Sequence, residues 1–155
     1  IEDHQFIDKK VTQVGIEELL NKSDIISVHI PLNKETNNMI NKEWFKKMRK
    51  GSYFVTTARG SIHNEEDLYE VITNGHLAGA GLDVWGYEPP PSSHKLLTLD
   101  NVIASPHTAG VTQDSRNKMS EFVATQLLSL FDGENPARPV NPEVIDTYRN
   151  KFKNL

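Results

Sequence analysis

Short apolar runs alternate with segments whose apolar residues recur at helical spacing. The runs are rich in β-branched and aromatic residues, and glycine, proline or polar residues bound them, which is typical of strands. We predict strands at residues 25–30, 53–57, 78–84 and 101–104, the first of them a buried strand. Regular alternation of strands and helices is typical of β-α-β units, so the pattern predicts an α/β fold with a parallel sheet.

The segments between and after these runs predict helices. Asn41 and Asn64 are predicted N-caps, because their side chains can accept hydrogen bonds from the first turn. Leu68, Val71 and Ile72 give the second capped helix an apolar face. We predict helices over residues 14–22, 42–48, 65–73, 112–131 and 143–152. The helix at 112–131 has an apolar stripe that we predict to be buried, formed by Met119, Phe122, Val123, Leu127, Leu130 and Phe131.

Composition excludes several function classes. The formal net charge of -4 gives no basic surface for nucleic acid or an anionic membrane. There is no cysteine, which excludes disulfides and thiolate metal sites and is compatible with the cytoplasm. No apolar stretch approaches the roughly 18 residues of a membrane span. Histidine, aspartate and glutamate are not clustered at the spacing of metal ligands, so we expect no metal site.

Polar side chains follow three of the predicted strands. Arg59, Asp83 and His107 lie at or just past strand ends, and Glu88 lies in the loop after Asp83. Ligands of open parallel sheets bind beyond the carboxyl ends of the strands. Each residue alone could be an ordinary loop residue, but together they suit oxidation and reduction of a 2-hydroxy or 2-keto acid. An arginine can bind a carboxylate through two parallel hydrogen bonds, and a histidine can transfer a proton near neutral pH.

Neighbouring residues refine this interpretation. Gly60 is expected to give the turn after Arg59 conformational freedom, and Glu88 can stabilise the protonated imidazole and set its tautomer. Ser61 is not in a nucleophile elbow, and Gly79 with Gly81 resembles half of a dinucleotide-binding loop but precedes a strand. Of the other histidines, His29 is expected to be a packed or strand-edge residue. The rest are expected to be exposed: His4, His63, His76 and His94.

Three ordered motifs resemble one family. They are Val55 to Gly60, Ala78 to Trp85 followed by Glu88-Pro89, and Ser105-Pro106-His107. Ser23 to Leu32 adds a fourth similar segment. Together they resemble the D-isomer-specific 2-hydroxyacid dehydrogenases, a family that includes phosphoglycerate dehydrogenase and glyoxylate/hydroxypyruvate reductase. The similarity runs over residues 15–142.

The resemblance implies a fold and residue roles. The fold is part of a Rossmann-type doubly wound parallel sheet, and the cofactor is NAD, with NADP left open. Arg59 binds the substrate carboxylate, His107 is the general acid/base and Glu88 pairs with His107. Formate dehydrogenases of this superfamily carry glutamine at the position of Glu88, which makes formate a poor candidate substrate. The cofactor-contacting positions are Ile30, Thr57, Ala58, Arg59, Asp83, His107 and Gly110.

The sequence also departs from the family's pattern. The first β-α-β unit with its glycine-rich loop is lacking, and we expect it to precede Ile1, so that this chain is the C-terminal portion of a longer protein. Residues 1–131 are assigned to the NAD-binding domain, including the long helix, and residues 132–155 to a tail packing on a substrate domain. A cytoplasmic homodimer acting on a small 2-hydroxy or 2-keto acid, with no nucleic acid or membrane partner, is the family-level expectation.

Two other interpretations remain open. One is a non-catalytic, nucleotide-sensing binding module of the same fold, similar to transcriptional corepressors. The other is an inactive fragment of the enzyme. The sequence does not distinguish glyoxylate, hydroxypyruvate, pyruvate and bulkier keto acids as substrates.

Overall fold

Four short strands form one parallel sheet in the computed structural model, which describes residues 11–152. They are β1 (Ile25–Val28), β2 (Tyr53–Thr56), β3 (Gly79–Leu82) and β4 (Val102–Ala104). The spatial order is β1-β2-β3-β4, and each neighbouring pair is parallel. The prediction of an α/β fold with a parallel sheet is therefore confirmed. Parallel pairing brings the carboxyl ends of all four strands to one edge, where the candidate site lies.

The five α-helices of the described residues lie close to their predicted positions. Asn41 accepts hydrogen bonds from the backbone N–H groups of Glu43 and Trp44, and Asn64 accepts one from Asp67, so both predicted N-caps are confirmed. None of the helices in the described part of the chain is long and apolar enough to cross a membrane. The helices are α1 (Ile16–Lys22), α2 (Lys42–Lys47), α3 (Glu65–Thr73), α4 (Gln113–Phe131) and α5 (Ile145–Phe152).

The sheet buries one of its two faces. Ile26, Phe54 and Ala80 are partners in register and are buried in one core with residues of α1, α2 and α3. On the opposite face Ile25 is 63% exposed and Tyr53 is 49% exposed. The prediction of a buried first strand is therefore wrong for half of its residues. The periodicity of a four-residue strand does not show how many faces of the sheet are covered.

Close packing between β3 and its neighbour explains one of the glycines. A Cβ atom on Gly79 would lie 2.3 Å from the carbonyl oxygen of Asn101, whereas one on Gly81 would make only ordinary contacts at 3.7 Å. Glycine at position 79 thus allows the close approach of the Asn101 backbone.

The chain divides into two compact units between Ala109 and Gly110. The second unit contains α4, which begins with a reciprocal cap: Thr112 accepts from the Ser115 N–H, and Ser115 Oγ accepts from the Thr112 N–H. No residue of α4 is buried, and Phe131 is 77% exposed. The prediction of a buried stripe on this helix is wrong for this chain. Apolar periodicity shows which face of a helix would favour burial, but it does not show whether a second surface packs against that face.

Candidate active site

A cavity of about 570 Å³ opens where β1 and β2 end. Four of the predicted site residues line it, and apolar side chains form much of its wall. A concave, mostly apolar pocket with a few polar groups is the usual form of a small-molecule or cofactor site. These residues therefore fit part of a dinucleotide, because they offer apolar contacts for a ring and a hydroxyl group and a guanidinium for polar contacts. The lining residues are His29, Ile30, Pro31, Leu32, Thr57, Ala58 and Arg59.

Arg59 lines this cavity three residues after the end of β2. Its Nη1–H donates to the carbonyl oxygen of Ala58 at 2.6 Å, which uses one of the five N–H donors of the guanidinium. A Cβ atom on Gly60 would lie 1.9 Å from the carbonyl carbon of Trp85 and 2.4 Å from the nitrogen of Gly86. Glycine is required here for close backbone approach. The expectation that Gly60 supplies conformational freedom gave the wrong reason for this residue.

Asp83 follows β3 and is 4% exposed. Its carboxylate accepts hydrogen bonds from Ser105 Oγ at 2.5 Å, Thr108 N–H at 2.8 Å and Ala109 N–H at 2.9 Å. Burial by itself raises the pKa of Asp83, but these three hydrogen bonds and the nearby imidazole outweigh burial, so the pKa is below its usual value. Asp83 therefore anchors the loop after β4 as a carboxylate. The predicted cofactor contact of Asp83 stays a prediction.

His107 lies in that loop with an uncommon backbone conformation. Its φ angle is +55°, in the left-handed region, where a non-glycine residue costs on the order of 1–3 kcal/mol. The His107 N–H donates to the carbonyl oxygen of Asp83 at 2.7 Å. The two following N–H groups bind the Asp83 carboxylate, so Asp83 holds the backbone on both sides of the histidine.

Glu88 contacts the ring of the same histidine. The Nδ1–H group of His107 donates to Glu88 Oε2 at 2.7 Å, and the Trp85 N–H donates to Glu88 Oε1 at 3.0 Å. The hydrogen bond from His107 lowers the pKa of Glu88 more than any other interaction, and the hydrogen bond from Trp85 is next. The charges of His107 and Arg59 lower this pKa further. An ionised Glu88 fixes Nδ1 as the donor, which leaves Nε2 of His107 for proton exchange.

The structure thus brings Arg59, Glu88 and His107 to one edge of the sheet, with Asp83 behind them. Gly110 belongs to the second unit. Two further residues, Trp85 and Ser105, take part in this arrangement without having been predicted from the sequence. Trp85 is 4% exposed, and its indole Nε1–H donates to the carbonyl oxygen of Ser105 at 3.0 Å. The available signal was a tryptophan three residues after the end of β3.

Several of the remaining histidines differ from their predicted environments. His63 was expected to be exposed but is 3% exposed, and burial lowers its pKa to about 4 in spite of the nearby Glu65. His76 and His94 are half-buried rather than exposed. His29 is exposed just past the end of β1, and His4 lies outside the described residues. A loop histidine reads as polar in sequence, so its burial depended on packing that the sequence did not reveal.

The described residues contain no group of three or more histidine, aspartate or glutamate side chains arranged to hold a metal ion. This edge of the sheet carries an arginine, a histidine that is hydrogen-bonded to a carboxylate, and a second, buried carboxylate.

Comparison with known proteins gives a consistent result. Residues 1–109 match the D-isomer specific 2-hydroxyacid dehydrogenase NAD-binding domain. The chain is 44% identical over 130 residues to a glyoxylate reductase of Thermofilum pendens, covering 84% of this chain and 38% of that protein. It is 40% identical over 121 residues to the human glyoxylate reductase/hydroxypyruvate reductase, covering 78% of this chain and 37% of that protein.

A solved structure is similar in fold over most of the chain. It is the D-lactate dehydrogenase of Lactobacillus jensenii with NAD+, with a TM-score of 0.85 and 30% identity, covering 90% of this chain and 46% of that one. The chain therefore spans less than half the length of each of these relatives.

Proposed function

Because the chain belongs to the D-isomer-specific 2-hydroxyacid dehydrogenase family and contains its NAD-binding domain, we propose that its protein interconverts a D-2-hydroxy acid and the corresponding 2-keto acid. The observation that carries the proposal is the 2.7 Å hydrogen bond between His107 Nδ1–H and Glu88 at the edge of the sheet that also holds Arg59. A proton-transferring group beside a guanidinium suits a substrate that carries both a carboxylate and a C2 oxygen.

In the reductive direction Arg59 binds the carboxylate of the keto acid and orients its C2 carbonyl. His107 donates the Nε2 proton to the C2 oxygen while C2 gains a hydride, so the carbonyl becomes a hydroxyl group. When bound, NADH supplies that hydride. Glu88 stabilises the protonated imidazole before the transfer, and in oxidation His107 takes the hydroxyl proton back.

The cofactor is assigned to the cavity at the ends of β1 and β2. Ile30 and Ala58 provide apolar contacts, Thr57 provides a hydroxyl group, and Arg59 extends from the same wall. Asp83, His107 and Gly110 complete the proposed cofactor-contacting set. We also propose the cytoplasmic homodimer that the family implies, to be checked by light scattering of the purified protein.

Glyoxylate and hydroxypyruvate are the first substrates to test, because they appear in the names of the relatives that are 40–44% identical to this chain. The experiment is NADH oxidation by the protein as its gene encodes it, across 2-keto acids from glyoxylate to phenylpyruvate. Turnover of one or more acids supports the proposal. Saturable NADH binding without turnover of any acid would replace it with the nucleotide-sensing alternative.

A matched pair of arginine variants tests the carboxylate-binding role. Arg59→Lys keeps the charge but loses the planar fork, so we expect KM for the keto acid to rise and kcat to fall, together about 100-fold in kcat/KM. Arg49→Lys is the control, because Arg49 pairs with Asp24 on the exposed surface. Equal kinetics for the two variants would remove Arg59 from the substrate site.

A further inference from the structure

The loop that carries Glu88 is attached to the first turn of α3. Glu65 Oε1 accepts a hydrogen bond from the Gly86 N–H at 2.8 Å, and Glu65 Oε2 lies 3.3 Å from Nε2 of His94. Both side chains are mostly buried, with 22% of Glu65 and 20% of His94 exposed. Glu65 therefore bridges the start of the loop, at Gly86, and a point eight residues later in the chain, at His94.

Trp85 connects this bridge to the candidate active site. It precedes Gly86, its N–H holds Glu88 Oε1, and its indole holds the carbonyl oxygen of Ser105. The ring of His94 packs edge-on against the indole with centroids 5.3 Å apart. A shift of Gly86 or His94 would therefore move the group that orients Glu88.

Gly60 limits the loop on its other side. Its Cα lies so close to the Trp85–Gly86 peptide that a Cβ would meet Trp85 and Gly86 backbone atoms at 1.9–2.4 Å. The peptide is thus held between Gly60 and Glu65. Neither Glu65 nor His94 lines the cavity at the ends of β1 and β2.

We propose that Glu65 and His94 are positioning residues that keep Glu88 in hydrogen-bonding contact with His107. The inference rests on the proposed function for its kinetic consequence, but the contact itself exists without substrate. The neighbouring residue provides the contrast. Glu66 occupies the same first turn, yet its carboxylate pairs with exposed Lys95 at 2.6 Å, where 58% of Lys95 and 71% of Glu66 is exposed.

The first test is NMR of the His107 ring in the protein as its gene encodes it, without substrate. With Glu65→Ala we expect the resonance of the Nδ1 proton to move upfield, because a displaced Glu88 no longer accepts a short hydrogen bond from it. Glu66→Ala removes the same charge from the same helix turn and should leave this resonance unchanged. An unchanged Nδ1 proton resonance in Glu65→Ala would overturn the inference whether or not the protein reduces keto acids.

The second test is a double-mutant cycle on the pH profile of keto-acid reduction. Made alone, Glu65→Ala should lower kcat several-fold and leave KM for NADH unchanged. It should also move the half-maximal point on the alkaline limb of the pH–rate profile to lower pH. In the Glu88→Gln background the same substitution should add no further pH shift. An equal pH shift in both backgrounds would show that Glu65 does not act through Glu88. His94→Ala, which removes the other residue of the bridge, replaces the Glu65 variant in both tests if that variant does not fold.

The tests separate the two proposals. If the parent protein reduces no keto acid but Glu65→Ala shows the NMR shift, the positioning role is supported and the proposed reaction is excluded. If the parent protein reduces keto acids but Glu65→Ala shows no NMR shift, the proposed reaction is supported and the positioning role is excluded.

Discussion

Asp83 and Glu88 both contact the region of His107, but one holds its backbone and the other its ring. Asp83 is 4% exposed and accepts hydrogen bonds from Ser105, Thr108 and Ala109. The Glu88 side chain is 36% exposed and contacts the imidazole directly. The pKa of each carboxyl group is lowered, for Asp83 against the effect of burial and for Glu88 chiefly by the hydrogen bond from His107.

The difference shows how a loop histidine can be both fixed and reactive. A buried carboxylate with several donors is costly to disrupt, so it suits the task of maintaining a left-handed backbone. A half-exposed carboxylate can respond to the protonation of its partner, so it suits the task of stabilising an imidazolium. Substitutions that remove one task at a time separate the two contributions.

Removing the ring should have the largest effect on activity. His107→Ala leaves the three contacts of Asp83 in place, so we expect turnover of a keto acid to fall by about 10²–10⁴-fold with little change in the midpoint of thermal unfolding. His76→Ala is the control, because His76 contacts the carbonyl oxygen of Phe45, away from the sheet edge. Undiminished turnover in His107→Ala would exclude it as the acid/base.

Replacing the buried carboxylate should chiefly affect stability. Asp83→Asn introduces an NH2 group that faces N–H donors, so we expect the free energy of unfolding to fall by about 3 kcal/mol. Because the pKa of Asp83 is lowered from 3.8, its stabilisation is present above pH 3.8 and is lost as pH falls through the folded-state pKa. Urea unfolding at pH 7 measures the loss. A variant as stable as the parent would contradict the anchoring role of Asp83.

His63 should dominate the loss of stability in mild acid, above the range of both carboxylates. Burial lowers its pKa from 6.5 to about 4, so the unfolded chain takes up a proton in this window and the folded chain does not. The free energy of unfolding should therefore fall by about 3 kcal/mol between pH 6.5 and pH 4.

Urea unfolding at several pH values, for the parent and for His63→Leu, measures this contribution. The leucine variant should be much less sensitive to pH between 6.5 and 4.5. Equal slopes for the two proteins would assign the acid sensitivity to another group.

Neutralising the half-exposed carboxylate should have the smallest effect of the series. Glu88→Gln keeps a hydrogen-bond acceptor but removes the charge, so we expect reduction to slow about tenfold and stability to change by less than about 1 kcal/mol. The alkaline limb of the pH profile should move to lower pH. If Glu88→Gln destabilised the protein as much as Asp83→Asn, the distinction between the two carboxylates would be wrong.

Local patterns predicted the helices and the positions of the strands along the chain well. At α3, the cap Asn64 and the buried residues Leu68, Val71 and Ile72 are as predicted, because capping and amphipathic spacing act within a few residues. At α4, the same reasoning gave the right helix and the wrong burial. The sequence contained the apolar face but not the surface against which it would pack.

The candidate site likewise has features that the sequence predicted and features that it did not. The order of Arg59, Glu88 and His107 along the chain was enough to predict that they would share one edge of a parallel sheet, because strand direction and alternation fix which ends meet. The left-handed backbone of His107, the anchoring by Asp83 and the contact of Glu88 with the His107 ring depend on segments that meet only on folding. Side-chain chemistry was therefore determined by the sequence. Tertiary packing decided the distances at which these side chains contact one another, since hydrogen bonds depend on ångström-scale placement that residue spacing does not specify.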